Sequence, residues 1–97
     1  MIQLRSYELA VEIYRECKHV RLPHFLQDQL LRASSSAALN LAEGYGKKTT
    51  KDRAKFFTIA MGSIREIQAV ADLEPAALNQ IKDKIDHLAA SVYKLTR

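Results

Sequence analysis

The chain has one cysteine, three glycines and two prolines among 97 residues. A single thiol cannot close an intrachain disulfide. Cys17 lies close to Ile13, Tyr14 and Val20 in sequence, so it reads as a buried, inert side chain. So few glycines and prolines exclude long irregular loops. No apolar run approaches the ~18 residues of a membrane span. The opening MIQLRSYELAVEIYREC is broken by Arg5, Glu8, Glu12 and Arg15, which is not the pattern of a signal peptide. A cytoplasmic protein without a membrane partner is expected. His19, His24 and His87 lack metal-ligand spacing. Ser34, Ser35 and Ser36 have neither a nucleophile elbow nor a partner base. The expectation is no metal, no cofactor, no catalytic residue and no enzymatic activity.

What is present is helix-forming: Ala, Leu, Lys, Glu and Gln dominate, in a length suited to one domain over residues 1–97. The net charge of +4 and pI near 9.4 point weakly to a polyanionic partner. The first helix is expected from about Gln3 to Val20, with Leu4, Tyr7, Val11 and Tyr14 as its buried face and Leu9, Ile13, Cys17 and Val20 as an adjoining stripe. Leu22-Pro23 should end it, because the residue before proline is pushed out of the α region.

The second helix should start near Pro23 or His24 and run to about Tyr45, with Leu26, Leu30, Ala33, Ala37, Asn40 or Leu41, and Gly44 along one face and Leu31, Ala38, Ala42 and Tyr45 along a neighbouring one. From Ala33 to Ala38 no side chain exceeds serine, which lets another helix approach closely. Gly44-Tyr45-Gly46 should stop it with a glycine in the left-handed C′ position, and Thr49 or Thr50 should cap the next helix. That third helix, about Lys51 to Asp72, carries Phe56, Ile59 or Ala60, Ser63, Ile67 and Val70 on one stripe and Phe57, Ile64 and Ala71 on another. Its interior Gly62 costs roughly 1 kcal/mol against alanine, which is reasonable if a neighbour packs tightly there. Pro75 suits the first position of a fourth helix, whose Leu78, Ile81, Ile85, Leu88, Val92 and Leu95 form a heptad seam. The sum is an all-α, antiparallel up-down-up-down four-helix bundle. The apolar faces of the second and third helices look wider than one core needs, which predicts a homo-oligomer.

Two stretches resemble a known family. Leu30-Leu31-Arg32-Ala33, Ser36 and Asn40-Leu41-Ala42-Glu43-Gly44-Tyr45-Gly46 are followed by Thr50-Lys51-Asp52 and Phe56, then by Ile59-Ala60-Met61-Gly62-Ser63-Ile64-Arg65-Glu66. This pattern is similar to that of the four-helix-bundle proteins encoded in 23S rRNA intervening sequences. More distantly, it resembles the accessory variability proteins of diversity-generating retroelements. The chain departs from the family in having Ala37-Ala38 for a frequent Ile-Pro, and Lys47-Lys48 where arginine is frequent. The resemblance implies a homopentameric ring with a basic surface. For the retroelement branch it implies binding of RNA or DNA and a reverse transcriptase partner.

Two groups of candidate residues follow. Lys47, Lys48, Lys51, Arg53 and Lys55 crowd the turn and the start of the third helix. The run is either a solvated helix start or a phosphate-binding surface. Cations at a helix N-terminus oppose its dipole, and no RNA motif with interleaved aromatics is present, so backbone contact without sequence readout is expected. Arg32, Asn40, Glu43, Gly44, Gly62, Ser63 and Glu66 read as structural or interface residues, with Glu66 a possible ion partner for Arg32. A Glu43–Glu66 carboxylate site lacks a third catalytic group. Tyr45 and Tyr7 could stack on bases but fit core packing better. The alternative to nucleic-acid binding is a protein-only scaffold or adaptor.

Overall fold

The computed structural model describes residues 5–97. Gln3 and Leu4 of the expected first helix lie outside them. The elements are α1 (Arg5–Cys17), α2 (His24–Tyr45), α3 (Thr50–Leu73), the single turn α4 (Pro75–Leu78), a 3₁₀ turn over Asn79–Ile81, and α5 (Lys82–Leu95).

α1 buries Ile13 and Cys17 of the expected adjoining stripe together with Ser6 and Ala10, and not the face of Tyr7, Val11 and Tyr14. Tyr7, Val11 and Tyr14 are only half-buried flanks. The reason is that α1 packs against both α2 and α5. Ser6 and Ala10 lie on the face these neighbours cover, and Tyr7, Val11 and Tyr14 flank it. α1 also ends earlier than expected. The Val20 N–H bonds the Cys17 carbonyl and the His19 N–H bonds that of Glu16, tightening the last turn well before Pro23. Pro23 instead opens α2, its carbonyl accepting the N–H groups of Leu26 and Gln27.

α2 has the expected bounds and buries Leu26, Leu30, Ala33, Ala37, Leu41 and Gly44, with Ser34 beside them; of the neighbouring stripe only Ala38 is buried, Leu31 and Tyr45 being half-buried and Ala42 exposed, because that side of α2 faces away from the core. Its end differs. Gly46 has φ −80° and ψ −11°, and no glycine among the described residues has positive φ. The Gly46 N–H reaches the carbonyls of Ala42 and Glu43, and the Lys47 N–H reaches Gly44. The orphan carbonyls are thus met by a right-handed continuation, and the left-handed cap is not needed. α3 begins as expected, with Thr49 Oγ1 accepting the Asp52 N–H at 3.1 Å. The fourth helix is interrupted by the 3₁₀ turn, yet Leu78, Ile81, Ile85, Leu88 and Val92 are all buried and Leu95 half-buried.

Cross-helix bonds give the directions. Ser6 of α1 bonds Ser91 of α5 at 2.7 Å, while Lys84, near the start of α5, reaches Glu12 at 3.0 Å and Glu16 at 2.7 Å. Those hydrogen bonds, to Glu16 first, raise the Lys84 pKa. α1 and α5 are therefore antiparallel. Ser63 Oγ donates to Ser36 Oγ at 2.8 Å and Gln29 Nε2 to Glu66 at 2.6 Å, making α2 and α3 antiparallel. Gln27 Nε2 donates to the Cys17 carbonyl at 3.1 Å, which joins the end of α1 to the start of α2. Between α3 and α5, Gln68 Nε2 donates to Asp86 at 3.1 Å. The Lys82 ammonium bonds the same carboxylate and holds it below the usual carboxylate range. α1, α2, α3 and α5 thus enclose one core, around Ile13, Leu30, Leu41, Ile64, Ile67 and Ile85. The bundle measures 40 × 21 × 20 Å. The start of α1, the α2–α3 turn and the end of α5 share one tip.

Candidate nucleic-acid interface

The α2–α3 turn is built by its own cations. Lys47 Nζ lies 3.2 Å from Glu43 and 5.1 Å from the centre of the Phe56 ring. Its backbone carbonyl accepts Arg53 Nε at 2.7 Å. Lys47 and Arg53 therefore fasten the turn to the helices on either side. Lys48, Lys51 and Lys55 are exposed, and none belongs to an ion pair among the described residues. The five cations of the run divide into two that shape the turn and three that are free to meet a partner. Asp52 is the acid nearest to them in sequence, and it forms no ion pair with any of the three.

The family-matching polar residues do different work from one another. Asn40 Nδ2 donates to the Ser36 carbonyl at 2.9 Å and to Ser36 Oγ at 3.2 Å, and Ser63 completes this small cluster between α2 and α3. Gly44 is buried where Phe57 crosses α2. Tyr45 meets Phe57 edge-on, with centroids 5.1 Å apart at 62°, so its ring serves packing. The expected Arg32–Glu66 ion pair does not form. Arg32 points to solvent, and Glu66 takes the amide of Gln29, one turn nearer the start of α2. Glu43 lies fourteen residues beyond Gln29, and so roughly 20 Å along the bundle from Glu66 at 1.5 Å per residue. The two carboxylates cannot act on one substrate. Gly62 has no heavy atom within 4 Å of where a Cβ would stand, so the close neighbour expected there is absent among the described residues.

Gly62 instead shares an open strip with Leu39 and Ile59, which are 69% and 51% exposed. The Ser36–Ser63 bond sets α2 and α3 in register, and this register places Leu39 beside Ile59. A hollow of about 460 Å³ lies at the opposite tip, between the α1–α2 connection and α4, lined by Glu16, His19, Arg21 and Gln80 among others. Of its charged lining, Glu16 is already engaged by Lys84. Among the described residues no three His, Cys, Asp or Glu side chains could hold a metal ion, and no helix is long and apolar enough to cross a membrane.

Sequence spacing locates the basic run but not its separation into clamping and free cations, which depends on the Lys47 carbonyl. It also misses Arg5, Lys94 and Arg97, which reach the same tip only through the directions of α1 and α5.

Fold and site together define an all-helical antiparallel bundle with a basic tip and an apolar strip on one side. The chain belongs to the 23S rRNA-intervening sequence protein family, whose model matches residues 1–97. That description is not one of an enzyme. No curated protein and no solved structure matches the chain.

Proposed function

We propose that the protein is a non-enzymatic, homo-oligomeric binder of nucleic-acid backbone, with Lys48, Lys51 and Lys55 as the contacts and Lys47 and Arg53 as the residues that hold them in place. The observation that carries this reading is the set of three exposed lysines without anionic partners on a turn fastened by the other two cations. Neutralising three phosphates releases condensed counterions, so binding weakens with salt. Side chains that reach phosphates but not base edges carry no sequence readout, and RNA and DNA are both substrates for such a surface. Binding is measured by fluorescence anisotropy on RNA and DNA oligonucleotides across a salt series. The triple variant Lys48→Glu, Lys51→Glu, Lys55→Glu should lower the slope of log affinity against log salt by about 2–3 and abolish binding at ~0.15 M salt. An unchanged variant, or no binding by the natural chain at low salt, overturns the reading.

The exposed pair Leu39 and Ile59, with the small Gly62 beside them, supports a second copy of the chain on the outer α2–α3 face. Five copies is the number the family resemblance implies, and a reverse transcriptase is the protein partner implied by the retroelement branch. The same apolar strip also favours the protein-only scaffold, which predicts self-association without salt-dependent nucleic-acid binding.

A further inference from the structure

The lysine run is one of three basic segments at its end of the bundle. α1 starts there with Arg5, and α5 finishes there with Lys94 and the following Arg97; all three residues are exposed. None of them enters an ion pair among the described residues. The Arg97 guanidinium stands 5.8 Å from the centre of the half-exposed Tyr93 ring, a contact that positions its planar fork without neutralising it. The acids at this tip are Glu8, Glu43 and Asp52, and Glu43 is already engaged by Lys47. Eight of the fifteen lysines and arginines stand here, with three of the eleven acids. The rest of the bundle holds the other acids and is close to neutral.

From this placement we infer that the phosphate-binding surface is composite: Arg5, Lys94 and Arg97, brought in by α1 and α5, complete with Lys48, Lys51 and Lys55 a single polyanion-binding face across the tip. The inference rests on the proposed nucleic-acid binding and extends it to two segments far away in sequence. The tip is 21 × 20 Å in section. At 3.4 Å per phosphate along one strand of a duplex, that width faces about six phosphates, the number of tip cations outside any ion pair among the described residues. The turn alone covers only part of it. Arg97 adds what lysine lacks, a bidentate grip on a phosphate.

The test compares two variants of the full chain on one labelled duplex DNA across a salt series. One reverses the turn (Lys48→Glu, Lys51→Glu, Lys55→Glu) and the other the flanking segments (Arg5→Glu, Lys94→Glu, Arg97→Glu). Each should lose tenfold or more in affinity and about 2–3 in salt slope. A flanking variant that binds like the natural chain while the turn variant fails overturns the composite face and leaves the turn as the site. No binding by the natural chain overturns both. Circular dichroism checks that the flanking variant is folded. If it is not, the milder Lys94→Gln, Arg97→Gln variant takes its place, with an expected slope change of between 1 and 2; an unchanged slope overturns the composite face.

Discussion

Phe57 leaves no room for a side chain on Gly44: a Cβ there would stand 2.6 Å from the ring Cε1 and 2.8 Å from Cδ1. The ring cannot swing aside freely, because it is buried and its other contacts include the edge of Tyr45. The turn that carries the lysines starts two residues later, so this contact fixes where α2 delivers it. Gly44→Ala should destabilise the fold by about 1–3 kcal/mol through overpacking, even though alanine favours helix by about 1 kcal/mol. Urea unfolding measures it, and a neutral result would mean that the ring yields.

Gly62 is the opposite case. It is a mid-helix glycine with open space on its Cα side, so Gly62→Ala should stabilise an isolated chain by roughly 0.5–1 kcal/mol. In a self-associating protein the same methyl group meets the neighbouring copy. Thermal unfolding at low and high protein concentration separates the two effects. A gain at low concentration that shrinks at high concentration is expected, and an equal gain at both contradicts a second copy on this face.

Cys17 is fully buried, and burial pushes its thiol up to about 12. A raised folded-state value means that the native chain keeps a proton the unfolded chain releases. The stabilisation is therefore complete below the unfolded thiol value and lost as pH rises towards 12. Unfolding free energy should be about 1 kcal/mol lower at pH 10 than at pH 8. Cys17→Ala should flatten that decline while lowering stability at both pH values. An unchanged decline in the variant would assign it to other groups.

Leu39→Glu and Ile59→Glu place charge on the open strip without touching the core. Light scattering should show the natural chain as an oligomer and each variant reduced towards the monomer, with helical content retained. A monomeric natural chain would remove the basis for self-association on α2–α3.

The burial seam from Leu78 to Val92 is legible in the sequence because a heptad repeat records which side of a helix is dry, even across a 3₁₀ turn. The bounds of α2 and the Thr49 cap are legible for a similar reason, since they depend on neighbouring residues alone. The buried face of α1 is legible only in part: spacing finds Ile13 and Cys17 but not Ser6 and Ala10. A helix flanked by two others buries small side chains as fully as large ones, Ala10 as much as Ile13, so hydrophobic size misleads at Ser6 and Ala10. Gly46 shows a second limit: glycine permits a left-handed residue but does not demand one. At the candidate site, local spacing finds the lysine run. The carbonyl clamp on Arg53, the missing Arg32–Glu66 pair and the arrival of Arg97 all depend on where distant backbone comes to rest.

The gathering of six unpaired cations at one tip of a 40 Å rod has a consequence for valency. A polyanion held end-on leaves the long sides of the bundle uncovered, the strip of Leu39 and Ile59 included. Association through those sides and capture at the tip do not compete. Copies ranged side by side with their tips level would present several weak grips to one strand, and linked weak grips hold far more tightly than any one alone.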